Sequence, residues 1–318
     1  MKLTHRHLHL LEKIQVQLAA VAGVVLVYFA LWPVLRPSDP RDPVVFFVLG
    51  APGSAAMFAG ALWVLAAVAA VLTVHARPEG ALMAAVLGVG GVSLRSPQMR
   101  GLLWAWSGPL RNVFGWLIAE LALLAALLFV AALIVDLVRR GIAAVRPQWL
   151  HKDVLAAGAS ADGKQPIRAL LGFLPPWRDG RWRPADASRT LAAMGLGLVV
   201  SVALLVLLLR SPERGQILFA LLAAFLLGAM AAHQLLPEIR SAAIVCLPLL
   251  AGLGFYVLSM VAVPGGVDAW KSLPHYACIL PVDWLTAGGG GTLIGYWMSE
   301  RLHELRHIEK KLAGLAEA

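Results

Sequence analysis

The run His303-Glu304-Leu305-Arg306-His307 is where residue types and spacing come nearest to a known catalytic pattern. On a helix, histidines four residues apart stand one turn apart on the same face. Their ring nitrogens can then share a zinc ion, and the intervening glutamate can take a proton from zinc-bound water. Three features oppose that chemistry. Arg306 puts a cation directly before the second histidine, where it disfavours a dication. Only Glu309 and Glu317 after His307 offer a third ligand, and the surrounding segment is charged rather than cleft-forming.

A different pattern accounts for the same residues more fully. Leu302, Leu305, Ile308, Leu312 and Leu315 recur every three or four positions, which makes one apolar stripe along a helix. His303, Glu304, Arg306, His307, Lys310 and Lys311 fill the remaining faces. The expected element is an amphipathic helix suited to self-association or to resting on a membrane surface. His303 and His307 stay as the candidate metal ligands, with His5, His7 and His9 as partners in a looser site, and no cofactor is expected.

Charges inside apolar runs are the second source of candidates, because a charged side chain at the bilayer centre costs at least about 2.5 kcal/mol on insertion scales. Glu120 lies well inside the run Val113 to Val138. It is either a hydrogen-bonded clip between helices or a relay for protons or cations. Asp136 is near Arg139 and Arg140 and is expected to pair there. Asp283, just after Pro281, fits the first turn of a helix, where the dipole favours a negative charge; the alternative is a polar lining, with His275, of an outward-facing cavity.

The third candidate group is Arg178, Arg181, Trp182 and Arg183, which follow Pro175-Pro176-Trp177. Basic and aromatic residues interleaved beside a membrane belong in the headgroup layer, so these are the expected contacts to anionic lipid or to a partner. Single-stranded nucleic acid uses the same residue types, but membrane proximity already accounts for them, and no nucleic-acid partner is expected. The two cysteines, Cys246 and Cys278, have no neighbours at metal-ligand spacing and read as packing residues without a disulfide.

These residues must be positioned by membrane-spanning helices. The 318 residues are 59% apolar and 14% charged, against about 25% charged in an ordinary soluble domain, and mean hydropathy is +0.76. A span needs about 20 mostly apolar residues, since the hydrocarbon core is about 30 Å thick and a helix rises about 1.5 Å per residue. Val16 to Leu35, Ala55 to Val74, Val113 to Val138, Leu191 to Leu209, Ile217 to Leu236 and Ser241 to Val263 qualify. Ala81 to Leu94, short and glycine-rich, and Pro281 to Met298, apolar mainly through small residues, complete an expected eight. The first run ends in Trp32, Pro33 and Arg36 with no small-residue cleavage site, so it reads as a retained helix rather than a signal peptide.

Lysine and arginine set the orientation. With eight spans and the N-terminus inside, only Arg36, Arg41, Arg95, Arg100, Arg111, Arg210, Arg214 and Lys271 fall outside, so both termini are expected in the cytoplasm. The net charge of +9 expresses this bias and attraction to anionic headgroups. Leu94-Arg95-Ser96-Pro97 is echoed by Leu209-Arg210-Ser211-Pro212, which reads as arginine snorkelling where Ser-Pro stops a helix. Gly88, Gly90, Gly91, Gly252, Gly254, Gly291 and Gly295 predict closely approaching helices.

The fold expected from sequence is an all-α, polytopic helical transmembrane bundle of about eight spans. Residues 1–138 form its first half, 139–189 a basic cytoplasmic loop, 190–298 its second half and 299–318 the amphipathic helix. The expected function is a non-enzymatic scaffold or subunit of a complex in the plasma (inner) membrane, in contact with the bilayer, anionic headgroups and other subunits or copies of itself. A small-solute or ion permease using Glu120 is the alternative, and a zinc metalloprotease using His303, Glu304 and His307 a distant third.

Overall fold

A computed structural model describes residues 5–76, 78–145, 177–178, 181–182, 184–237, 241–263 and 269–316. Helix α1 begins as His5–Leu26, widens into a π-turn over Val27–Leu31 and finishes as Trp32–Leu35. Pro33 explains the widening: it has no N–H to donate and its ring crowds the carbonyl one turn back, so the hydrogen-bond ladder re-registers. After a loop, α2 spans Pro52–Leu72 and α3 spans Pro78–Arg95. Pro97 ends α3, and the chain restarts at an angle of 50° as α4, Met99–Ala105. Helix α5 runs over Leu110–Val145.

The described chain resumes in a two-residue antiparallel hairpin, Trp177–Arg178 with Arg181–Trp182. Then come α6, Pro184–Leu208, and α7, Arg214–Leu235. Short α8, Ser241–Val245, is offset from α9, Leu247–Ala262, where Pro248 cannot continue the ladder. Single 3₁₀ turns at Ala269–Ser272 and His275–Cys278 lead into α10. That last helix is continuous, from Pro281–Asp283 through a π-turn at Trp284–Gly288 to Gly289–Ala316.

Among the described residues six helices are long and apolar enough to cross a membrane, and the bent pair α3–α4, taken as one span, raises the number to seven. The expected eight is therefore corrected to about seven helices apolar enough to span, although α10 still runs from Asp283 beside Arg214 at one end of the bundle to Arg301 beside Glu12 at the other. The difference lies in α10, whose first half is composed of small and weakly polar residues. It has no need of an apolar surface, because its neighbours screen it from lipid: Trp284, Leu285, Thr286, Gly288, Thr292 and Leu293 are all buried. The Trp284 ring stacks on Phe255 of α9 and meets Phe225 of α7 edge-on. Helix α3 is likewise interior, with Ala81 to Val86 buried in succession. The short, glycine-rich segment is thus a full helix at the centre of the bundle.

Glycine sets how closely the helices approach. Gly23 of α1 and Gly88 of α3 meet backbone to backbone, and a Cβ on Gly91 would sit 2.8 Å from the carbonyl oxygen of Val24. Where α10 crosses α7, a Cβ on Gly291 would sit 2.5 Å from the Leu222 carbonyl oxygen, and one on Gly295 would run into that of Leu226. Gly254 differs: it is exposed and its missing Cβ would meet nothing within 4 Å. Gly295→Ala is therefore expected to destabilise the bundle by at least about 1–3 kcal/mol, as overpacking does. Gly254→Ala should be neutral or stabilise the helix by up to about 1 kcal/mol. Thermal unfolding of the two variants in detergent checks the contrast.

Candidate functional site

The polar residues gather at the two ends of the bundle. One end, the loop face, carries the 36–51 loop, the α3–α4 bend and the turns before α10. The other, the terminal face, brings the start of α1 beside the second half of α10 through an ion pair between Glu12 and Arg301 at 2.6 Å.

On the loop face the chain between α1 and α2 folds back into the bundle, burying Val44, Val45 and Phe46. Loop backbone buried this way needs internal partners. Glu120 of α5 supplies them: its Oε2 accepts from the amides of Phe46 at 2.7 Å and Phe47 at 3.2 Å. Ser96 Oγ accepts from the Val44 amide at 2.9 Å. The loop closes through Ala51 N–H to the Phe46 carbonyl at 2.8 Å, with Gly50 at φ +61°, a conformation open to glycine. The Phe46 ring then packs against Phe58 of α2.

Asp283 stands in the first turn of α10, fully buried, and holds Arg214 of α7 in a bidentate pair at 2.6 and 2.7 Å. Its Oδ2 also accepts from the Leu280 amide at 3.0 Å. Arg214 extends the connection to α3 by donating to the Ser93 carbonyl at 2.6 Å, while Ser93 Oγ and Thr286 Oγ1 lie 2.8 Å apart. Because its carboxylate is enclosed, Asp283 lines no outward cavity, and His275 lies exposed on its own turn. Beside this cluster Arg95 donates to the Tyr28 carbonyl and sits over the rings of Tyr28 and Trp32 at 4.9 and 5.2 Å.

The terminal face has its own buried cation. Arg139 donates to the carbonyls of Thr73 and Ala76, each at 2.7 Å, and so caps the end of α2. Asp136 pairs with Arg140 one turn on, at 2.6 Å. His303 faces α7: its ring lies 5.4 Å from that of His233 and its Nε2 is 3.4 Å from the His233 carbonyl oxygen. His233 Nδ1 in turn lies 2.8 Å from Ser299 Oγ, and Gln234 bridges Ser299 and Arg306. The side chains of Glu304 and His307 lie outside the described residues. Among the described residues no group of three histidine, cysteine, aspartate or glutamate side chains is placed to hold a metal ion.

In the basic hairpin Trp177 is opposite Trp182 and Arg178 opposite Arg181, while Arg183 lies outside the described residues. Cys246 and Cys278 are both free thiols. Burial pushes the Cys278 thiol up to about 11 against the opposing pull of Arg100, so it is protonated at neutral pH and a poor nucleophile.

Sequence reasoning singled out Glu120 and Asp283 but not their partners; it took Arg139 for a partner of Asp136 and Arg214 for an outward cation, and it gave no role to Glu12, His233 or Arg301. The available signal was polar residues within a turn of apolar helix ends, which alone does not say which of them meet. The fold and these clusters define a polytopic helical membrane protein. Comparison of the chain with protein-family models, curated proteins and solved structures yields no match.

Arg214→Ala, which leaves Asp283 buried without its counter-ion, is expected to destabilise the protein by about 3–5 kcal/mol. Glu120→Ala should cost about 1–3 kcal/mol through two unsatisfied amides. Glu120→Gln keeps an acceptor and should unfold close to the native chain. Detergent melts of the three variants test this ranking. Cys278 is expected to resist maleimide at neutral pH until the protein is denatured, which mass spectrometry of the labelled chain reads directly.

Proposed function

We propose that this chain is a non-enzymatic subunit or scaffold of a complex in the plasma (inner) membrane, with both termini in the cytoplasm. The observation that carries this reading is the use made of the two buried carboxylates. Glu120 holds a folded-back loop and Asp283 holds an arginine, so both are committed to fixed structural contacts. A permease that works through such groups needs them to exchange partners with water or solute. The second support is the closing helix, an unbroken continuation of an interior part of the bundle. Two residues of its apolar stripe, Leu302 at 38% and Leu305 at 56%, are exposed in the single chain. A helix presented this way suits a partner subunit or a second copy, and Arg178, Arg181, Trp182 and Arg183 suit anionic headgroups.

One observation favours the permease as a second reading: Glu120 Oε1 is buried and has no hydrogen-bond partner among the described residues. Native mass spectrometry of the protein extracted in mild detergent separates the two. A stoichiometric foreign chain or a defined self-assembly, lost on Leu305→Lys, is the expected result. A lone chain whose reconstituted form carries solute or ion flux, abolished by Glu120→Gln, would establish the permease instead. A reporter active only in the cytoplasm, fused after Ala318, is expected to be active.

A further inference from the structure

A cavity of about 410 Å³ opens beside the loop that Glu120 anchors, within the roughly 300–1,000 Å³ range of small-ligand sites. Its polar lining comes from Arg36, Ser38, Asp42 and Ser54, and its apolar lining includes Leu35 and Leu49. Two features make it more than a surface dent. The floor is fixed, because Val44, Val45 and Phe46 are buried and the amides of Val44 and Phe46 are tied to Ser96 and Glu120. The cavity also carries both signs of charge without joining them: no ion pair links Arg36 to Asp42 or to another described residue.

The surroundings of the two charges differ. Arg36 follows directly on the span Leu11–Leu35, which puts it at headgroup depth. The first turn of α2 borders the same cavity through Ala51 and Ser54, and its amides have no side-chain cap, adding partial positive charge to the lining. Asp42 lies near Asp39, whose Oδ1 accepts from the Arg41 amide at 2.8 Å, so the surroundings of Asp42 carry negative charge. Burial, with the Asp39 charge, raises the Asp42 carboxyl above its ordinary value; a cation there would reverse that. On the membrane side of Arg36, Phe29 and Val34 of α1 expose large apolar side chains.

We propose that this cavity binds a phosphate-and-ammonium zwitterion of the phosphoethanolamine type, its phosphate at Arg36 and Ser54 and its ammonium at Asp42. A lipid headgroup supplies that chemistry with its tails along Phe29 and Val34; free phosphoethanolamine supplies it without tails. An anionic glycerol headgroup matches Arg36 but brings no cation to Asp42. The site stands whether the chain is a subunit or a permease.

The test uses the full chain in detergent, delipidated, with retained ligand counted by native mass spectrometry. The probes are dihexanoyl phosphatidylethanolamine, dihexanoyl phosphatidylglycerol and free phosphoethanolamine. The expected result is saturable binding of the ethanolamine lipid, with the glycerol lipid about tenfold weaker, the scale of one charge-assisted hydrogen bond. Arg36→Gln should weaken both lipids. Asp42→Asn should weaken only the ethanolamine lipid and remove the preference. Both residues are solvent-accessible, so the variants should melt with the native chain, which a thermal scan verifies. Competition by free phosphoethanolamine at the lipid's own potency would support the same site with a free zwitterion as ligand, and its failure to compete would support the lipid. Equal binding of the two lipids to the native chain, or native ethanolamine-lipid affinity in both variants, would overturn the proposal.

Discussion

The bidentate pair between Arg214 and Asp283 is the interaction on which the rest of the bundle depends. It joins the first turn of α7 to the first turn of α10, and through the Ser93 carbonyl it reaches the end of α3. Those three helices form the centre against which the others pack. Asp283 is wholly buried and has no water as an alternative partner, which makes the geometry specific. It places the start of α10 so that Trp284 enters between α7 and α9, and so that Gly291 and Gly295 reach the Leu222 and Leu226 backbone.

The same constraint explains why polar groups here behave as fasteners. In a bilayer a backbone amide or carbonyl without an internal partner is expensive. At two departures from regular helix inside the bundle, side chains close the gap. Glu120 and Ser96 serve the amides of the folded-back loop, and Arg139 serves the carbonyls at the end of α2. The charges thus accompany the irregular backbone instead of lining a common path, which is the physical basis for reading the protein as a structural component. The charged cavity beside the Arg36 loop follows from the same event, since the fold-back that Glu120 stabilises also creates the concavity.

Much of this architecture is legible in the residues. Leu191 to Leu209, without a charge, had no alternative to a long apolar helix, and the structure places α6 there. Glu120 stood out because an unpaired carboxylate in an apolar run demands a partner. Its partner was not legible: the Phe46 and Phe47 amides are more than seventy positions away and belong to a segment with no periodicity. The miscount of spans has a related cause. Hydropathy measures the tendency to face lipid, and α10 faces protein, so its glycines and threonines lower the score of a helix central to the bundle.

The sequence by itself determined an all-α membrane bundle, the places where helices break and the residues small enough to permit close crossing. These are local properties, set by apolar length, by proline's missing N–H and by glycine's missing Cβ. Only the tertiary structure decided which charges meet, which helix lies at the centre and which opposite charges are left facing one cavity. Pairing inside a bilayer depends on which helices become neighbours, and that is settled by the packing of the whole chain rather than by any window along it.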